Sequence, residues 1–330
     1  MRVLTVMVGC CLLAAVSCTD PLEENLPPAA SFSYSPESPS PGDTVTLDAS
    51  QSSDSDGHIV AFLWTFGDGK TGEAVTVNHI YESDAAYRVT LIVTDDGGDS
   101  DTTSSTVTVE YALNPVADYD LDIKSPSGLS FSVDGNHLWT VSDKPGGAVF
   151  KISLTGEIVR RLSYTGADME GVVQSILDST LWVVEELTGE VVQIDTVGNE
   201  LGRVTLSGVT GGGGLEGITI NPEDGHSYLL KEKDPGALIE LNATLEFVSY
   251  DRITFAADYS GISYDAVSGQ LWILSDEEEK VYRVGTDGEV VRKYRTEVIK
   301  GEGIAVDEES GLIYIISDES ERLYQFSVER

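Results

Sequence analysis

From about residue 115 onward the chain is built of short runs that are apolar at successive positions, such as "QLWILS" (270–275) and "LIYIIS" (312–317). Gly, Asp and Ser turns separate them, and no run carries the 3.6-residue period of an amphipathic helix. A strand that is apolar at every position is one buried on both faces of its sheet. Residues 31–111 follow a different pattern. There "DTVTLDAS" (43–50), "AYRVTLIVTD" (86–95) and "SSTVTVE" (104–110) alternate apolar and polar residues, as half-buried strands do. The pattern predicts an all-β chain in two parts.

The second part repeats itself. Its repeats open on Ser127-Gly128-Leu129, Glu170-Gly171-Val172, Glu216-Gly217-Ile218, Ser260-Gly261-Ile262 and Glu302-Gly303-Ile304, with the glycines 43, 46, 44 and 42 residues apart. Eleven residues after each glycine stands an aromatic: Trp139, Trp182, Tyr228, Trp272, Tyr314. Four further on stands an acid: Asp143, Glu186, Glu232, Asp276, Asp318. Each unit divides into four β runs; in the fourth they are "GISYD", "QLWILS", "KVYRVG" and "EVVRKYR". A period near 43 with four strands per unit predicts the blades of a β-propeller. The 27 residues after Gly303 and the 16 from Ala112 to Ser127 together fill one period. Five blades follow, with "PVADYDLD" (115–122) as outermost strand of the last. A six-bladed ring with one degenerate blade is the alternative.

If each innermost strand starts on the upper face, the second strand returns to it. Glu170, Glu216 and Glu302 then open innermost strands, and Asp143, Glu186, Glu232, Asp276 and Asp318 end second strands, all on one face. Crowded carboxylates resist ionisation unless a cation compensates them. The candidates are the adjacent Lys144, Lys231 and Lys233, or a bound Ca²⁺, which takes six to eight oxygen ligands.

Within residues 31–111, "FLWTFGDG" (62–69) puts Trp64 in a strand that ends at an Asp-Gly turn, and His79-Ile80-Tyr81 and "YRVTLIVTD" follow. This combination resembles a PKD (polycystic kidney disease) domain. The resemblance implies a spacer or adhesive Ig-like sandwich with Trp64 in its core and Tyr81 and Tyr87 packed nearby. It also implies a secondary Ca²⁺ candidate at Asp54 and Asp56 in "SSDSDG" (52–57). Twelve positions counted from Asp54 end at Thr65, not at the glutamate of an EF-hand, so turn chemistry is the competing account of that loop.

Composition changes the picture at two points. With 56 Asp+Glu against 20 Lys+Arg the net charge is −36, which repels nucleic acid and anionic surfaces and suits cationic ligands. All three cysteines, Cys10, Cys11 and Cys18, lie at the start, where a short apolar run ends in Ala15-Val16-Ser17-Cys18. That ending resembles a bacterial lipobox. It implies a signal peptide over 1–17, lipidated Cys18, and a bacterial envelope protein attached to the membrane through its lipid. A plain secretory signal is the alternative. Residues 18–30 then read as a Pro-rich tether, 31–111 as the sandwich and 112–330 as the propeller.

The Glu-Gly-Ile/Val units, with "GGLEGITINPEDGHSYLLKEKDP" (213–235) and "KGEGIAVDEESGLIYIISDE" (300–319), resemble the SdiA-regulated family. This resemblance implies a secreted or envelope propeller, distantly similar to phytase-like esterases. The residues themselves leave two functions open. One is a binding or scaffold lipoprotein whose upper face holds Ca²⁺ or a cationic ligand. The other is a Ca²⁺-dependent phosphoesterase or lactonase. His58 and His79 fall in the sandwich, while His137 and His226 fall nine residues after their glycines, in turns of the lower face. A Ser-His-Asp arrangement among the acids is therefore not expected. "TGGGGLEG" (210–217) lacks the Lys-Ser/Thr pair of a phosphate loop and is expected to overhang Glu216.

Overall fold

A computed structural model describes residues 24–166, 168–206, 214–307 and 309–328. The lipobox, the signal peptide and most of the glycine-rich loop lie outside the described residues. All named elements are strands, and contacts divide the chain into two compact units.

The N-terminal unit is a seven-stranded sandwich among the described residues. One sheet pairs Ser33–Ser35, Thr44–Asp48 and Thr76–Ile80; the other pairs Thr71–Gly72, Ile59–Thr65, Ala85–Asp95 and Ser100–Val109. Alternate residues of these strands meet in the core, where Val45, Leu47, Trp64, Leu91 and Val93 are fully buried. The Trp64 indole donates to the Ala74 carbonyl at 2.8 Å. His79 stacks on Phe66 and meets the Asp68 carboxylate at 2.9 Å. The Tyr81 hydroxyl donates to the Phe66 carbonyl, and its ring stacks on Tyr87. The histidine and tyrosine thus hold the Gly67–Gly69 turn, whose glycines have φ of +87° and +89°. That is the physical content of the spaced aromatic motif.

The C-terminal unit carries five blades among the described residues. Their innermost strands are Pro126–Phe131, Met169–Gln174, Leu215–Ile220, Gly261–Asp265 and Gly301–Asp307, and three antiparallel strands follow each of the first four. The fifth blade has two of its own, Leu312–Ser317 and Arg322–Ser327. Its outermost strand is Asn114–Asp120, pairing Tyr119 with Leu323 and Pro115 with Phe326. The ring closes through the start of its own segment, in the expected register of parts.

Second strands are buried on both faces; Leu271, Trp272, Ile273 and Leu274 are each at most 1% exposed. Each repeated aromatic packs toward the following blade. Trp139 joins Val172 and Val183, Tyr228 joins Ile262 and Ile273, and Trp272 joins Ile304 and Ile315. Tyr314 closes the circle against Leu129, Leu138 and the edge of Phe131. Trp182 is partly buried against Ile218 and Leu229 in the same way, and full burial of such a side chain stabilises by about 1.5–3 kcal/mol. The repeated glycines mark where innermost strands nearly touch. A Cβ on Gly303 would stand 2.7 Å from Gly128 of the first blade, and one on Gly171 would stand 3.1 Å from Gly217.

One strand is outside the expected pattern. Tyr111–Ala112 adds in parallel to the outer edge of the fourth blade, opposite Tyr294 and Arg295. Leu113 follows, buried with Tyr294, Val298 and Phe326. The entering segment therefore binds the fourth and fifth blades in succession.

Candidate functional site

The three glutamates owe their direction to β-bulges. In the second blade Met169 pairs with Glu185 and Gly171 with Val184, which leaves Glu170 as the extra residue. Glu216 and Glu302 stand at the same irregularity between Leu215 and Gly217 and between Gly301 and Gly303. A bulge re-aims the extra side chain out of the strand's alternation. Here it turns each carboxylate toward the axis while the next glycine lets the neighbouring strand close in.

The strand-end acids are tied to the same entry points. The amide of Glu186 donates to the Asp168 carbonyl, that of Glu232 to Gly214, that of Asp143 to Ser125 and that of Asp318 to Lys300, at 3.0–3.1 Å. In the fourth blade Asp276 instead donates to the Asp258 carboxylate. Asp168, Ser125 and Lys300 take left-handed backbone, with φ of 65°, 44° and 51°.

The eight acids converge as neighbours. Ligand oxygens of Asp168, Glu170 and Glu186 lie within 4.8 Å of one another, as do those of Glu186, Glu216 and Glu232. Burial, followed by Glu170, Glu186, Glu232 and Glu302, pushes the Glu216 carboxyl up to about 10. Burial, with Asp143, Glu302 and Asp168 adding repulsion, takes Glu170 up to about 8. Glu302, half-buried beside Asp276 and Asp318, also rises to about 8, with its desolvation the largest cause. Burial and Asp318 raise Asp143, and burial and Asp168 raise Glu186.

Compensation is uneven around the ring. Lys300, which the repeat did not single out, pairs with Asp276 at 2.7 Å. Together with a hydrogen bond from Asp258 it holds the Asp276 carboxyl low against its burial, while Asp258 is pushed up to about 6 by burial and by Asp276. Lys233 pairs with Glu232. Lys144 lowers Asp143 only as a lesser influence. Lys231 is 3% exposed, and its ammonium donates to the carbonyls of Lys233 and Pro235 while Asp234 and Glu232 act on it as nearby negative charges. The second and third blades therefore hold Asp168, Glu170, Glu186, Glu216 and Glu232 with one paired lysine among them.

Glu216 is the informative member. It is 8% exposed, and its carboxylate accepts no hydrogen bond from a described residue. A buried carboxylate without donors is costly unless it is neutral or bound to a cation. Oxygen donors of Glu186 and Glu232 stand within reach of the same point, an all-oxygen set that fits a hard divalent ion. Asp168 joins this group although only its neighbour Glu170 stood out in the repeat.

The other candidates lie apart. In the sandwich, Asp54 has one buried oxygen without a partner, and Asp56 accepts from the Leu26 amide at 3.0 Å. Asp96 completes that corner: a Cβ on Gly57 would meet Asp96 at 2.4 Å and Asp54 at 2.7 Å. His137 pairs with Asp134 and His226 with Glu240, at the opposite ends of the second strands from the acids. No histidine therefore serves the cup.

Comparisons with known proteins divide at the same boundary. Residues 25–110 match the PKD domain model. The pre-pro-metalloprotease PrtV of Vibrio cholerae is 42% identical over 87 residues, which are 26% of this chain and 9% of that protein. The chain thus spans about 9% of the length of the curated relatives matched first. The crystal structure of the PKD1 domain of that metalloprotease is 42% identical, covers 26% of this chain and 98% of its own, and superposes with a TM-score of 0.23. The crystal structure of an auxiliary nutrient binding protein from Bacteroides thetaiotaomicron covers 93% of this chain and 99% of its own at 13% identity and a TM-score of 0.45. The model of the SdiA-regulated family matches residues 105–327, more than half of the chain, and the protein belongs to that family.

Proposed function

We propose that this is an envelope lipoprotein whose propeller binds a divalent cation, Ca²⁺, in the carboxylate cup of its second and third blades. The observation that carries the reading is Glu216, buried without a hydrogen-bond donor among the described residues and sharing a 4.8 Å group with Glu186 and Glu232. Asp168 and Glu170 extend the donor set on one side and Glu302 on the other. The bound ion would lower the repulsion among these carboxylates and present open coordination positions to a ligand. Calorimetric titration of the mature chain tests this. Saturable Ca²⁺ binding that Glu216→Gln weakens at least tenfold supports it; an unchanged affinity in that variant defeats it.

The envelope placement rests on the sequence at Cys18 and on the PKD module, which is shared with a pre-pro-metalloprotease of Vibrio cholerae. Palmitate label entering wild type but not Cys18→Ser, with wild type partitioning into membranes, is the expected result. An unlabelled soluble protein overturns it. The high negative charge argues against nucleic acid as a partner.

The second reading is a Ca²⁺-dependent phosphoesterase or lactonase. A cavity beside Glu232 favours it, because a ligand seated there would adjoin the ion. Turnover of aryl phosphates or lactones that requires Ca²⁺ and is lost in Glu302→Gln would select the enzyme. Absence of turnover across the panel would select the binding protein.

A further inference from the structure

Among the described residues, every arginine but one has a partner. Arg88 binds Ser104, Arg160 the Thr196 carbonyl, Arg203 two glutamates and Arg322 two aspartates. Arg161, Arg283 and Arg292 lie over aromatic rings, and Arg295 is engaged as well. The Arg252 guanidinium makes no hydrogen bond, ion pair or ring contact with a described residue. In a chain of 56 acids and 20 bases, a guanidinium left unpaired is unexpected.

Arg252 ends the outermost strand of the third blade and borders a cavity of about 470 Å³. Lys233, Asp234 and Glu232, the last a member of the carboxylate cup, line it as well, and Lys233 is paired with Glu232. The walls are pre-formed. The buried Lys231 pins the backbone of Lys233 and Pro235, and the Ile253 amide donates to the Gly236 carbonyl. Gly236 admits the Tyr259 ring, since a Cβ there would stand 2.2 Å from it. Tyr259 is fixed in turn by the Ala256 amide and the edge of Phe255. A rigid hollow with a guanidinium unpartnered among the described residues and apolar walls of Ile253 and Tyr259 is suited to an organic molecule that carries an oxyanion. Arg recognises planar or tetrahedral oxyanions through two parallel donors, and Lys233 adds a second charge once a cation takes its partner Glu232.

We infer that the hollow between the third and fourth blades is an oxyanion subsite, which takes the carboxylate or phosphate of a small organic ligand through Arg252 and Lys233. In its full form this rests on the cation reading, because a ligand held there reaches the ion at Glu232. A ligand that spans both sites would place its carboxylate or phosphate on Arg252 and another oxygen on the ion.

The test uses the mature chain with phenyl phosphate and benzoate as probes and phenol as the uncharged control, each with Ca²⁺ and with EDTA. The expected result is that one or both anions bind and phenol does not. Arg252→Gln should weaken anion binding at least tenfold, Lys233→Gln should weaken it less, and Ca²⁺ affinity should be unchanged in Arg252→Gln. Arg252 is exposed, so this variant retains the fold. Neither anion binding in either condition, or binding that survives the Arg252→Gln/Lys233→Gln double variant, overturns the subsite even where Ca²⁺ binds. Arginine-dependent anion binding that is equal in Ca²⁺ and EDTA keeps the subsite and removes the link to the ion.

Discussion

The amide of Gly214 donates to Oε1 of Glu186 at 2.9 Å, and a Cβ on Gly214 would stand 1.7 Å from the Glu186 Cγ. Only glycine allows this approach. Glu186 belongs to both three-acid groups, so its position is set from the neighbouring blade by a residue that offers no ligand of its own. Gly214→Ala should displace Glu186 and weaken Ca²⁺ binding about tenfold or more, with a smaller change in melting temperature. Equal affinity in this variant would show that Glu186 is not held by Gly214 in the bound state.

The raised carboxyls fix a pH dependence for the metal-free protein. Glu170 and Glu302 ionise near 8 in the folded chain and Glu216 near 10, against about 4.5 when unfolded. Above pH 5 the unfolded chain has released protons that the folded chain retains, so stability falls as pH rises. The loss runs from about pH 5 to about 8 for Glu170 and Glu302 and continues to about 10 for Glu216, at no more than about 1.4 kcal/mol per pH unit for each group. The lowered aspartates, such as Asp68 and Asp134, act in the opposite direction but below pH 4. Denaturant unfolding in EDTA at pH 5.5 and 8 should show lower stability at pH 8, and Glu216→Gln should reduce the difference. Higher stability at pH 8 would contradict the burial of neutral glutamic acids.

Ring closure makes Leu113 a stability determinant. It sits between the fourth and fifth blades against Tyr294, Val298 and Phe326 at 4% exposure. Leu113→Ala should cost about 2–5 kcal/mol in the propeller transition, the range for a buried leucine. Val116, 53% exposed on the same segment, should tolerate alanine at under about 0.5 kcal/mol. Similar losses at both positions would mean that the entering segment does not hold the ring.

The fold was legible because its repeat is carried by chemistry as well as by length. Glycine at the strand crossing, an aromatic toward the next blade and an acid at the second strand's end keep their offsets through five units. The bulges were not legible: an extra residue at Glu170, Glu216 and Glu302 leaves the linear spacing from Gly to aromatic untouched. Asp168, Asp258 and Lys300 escaped notice because they lie in the connections between blades, which the repeat does not constrain. Tyr111–Ala112 is too short to register as a strand.

The central claim, that the cup binds a cation, is tested most directly by calorimetric unfolding of the mature chain in EDTA and in Ca²⁺, with the Glu170→Gln/Glu216→Gln/Glu302→Gln variant alongside. On this account Ca²⁺ would bind the folded state alone. At a hundredfold excess over its dissociation constant it should therefore stabilise the propeller transition by about 2.7 kcal/mol, a rise of a few degrees. The triple variant should match or exceed the metal-free parent in stability and show no response. Coincident propeller transitions of the parent in EDTA and in millimolar Ca²⁺ would contradict the claim.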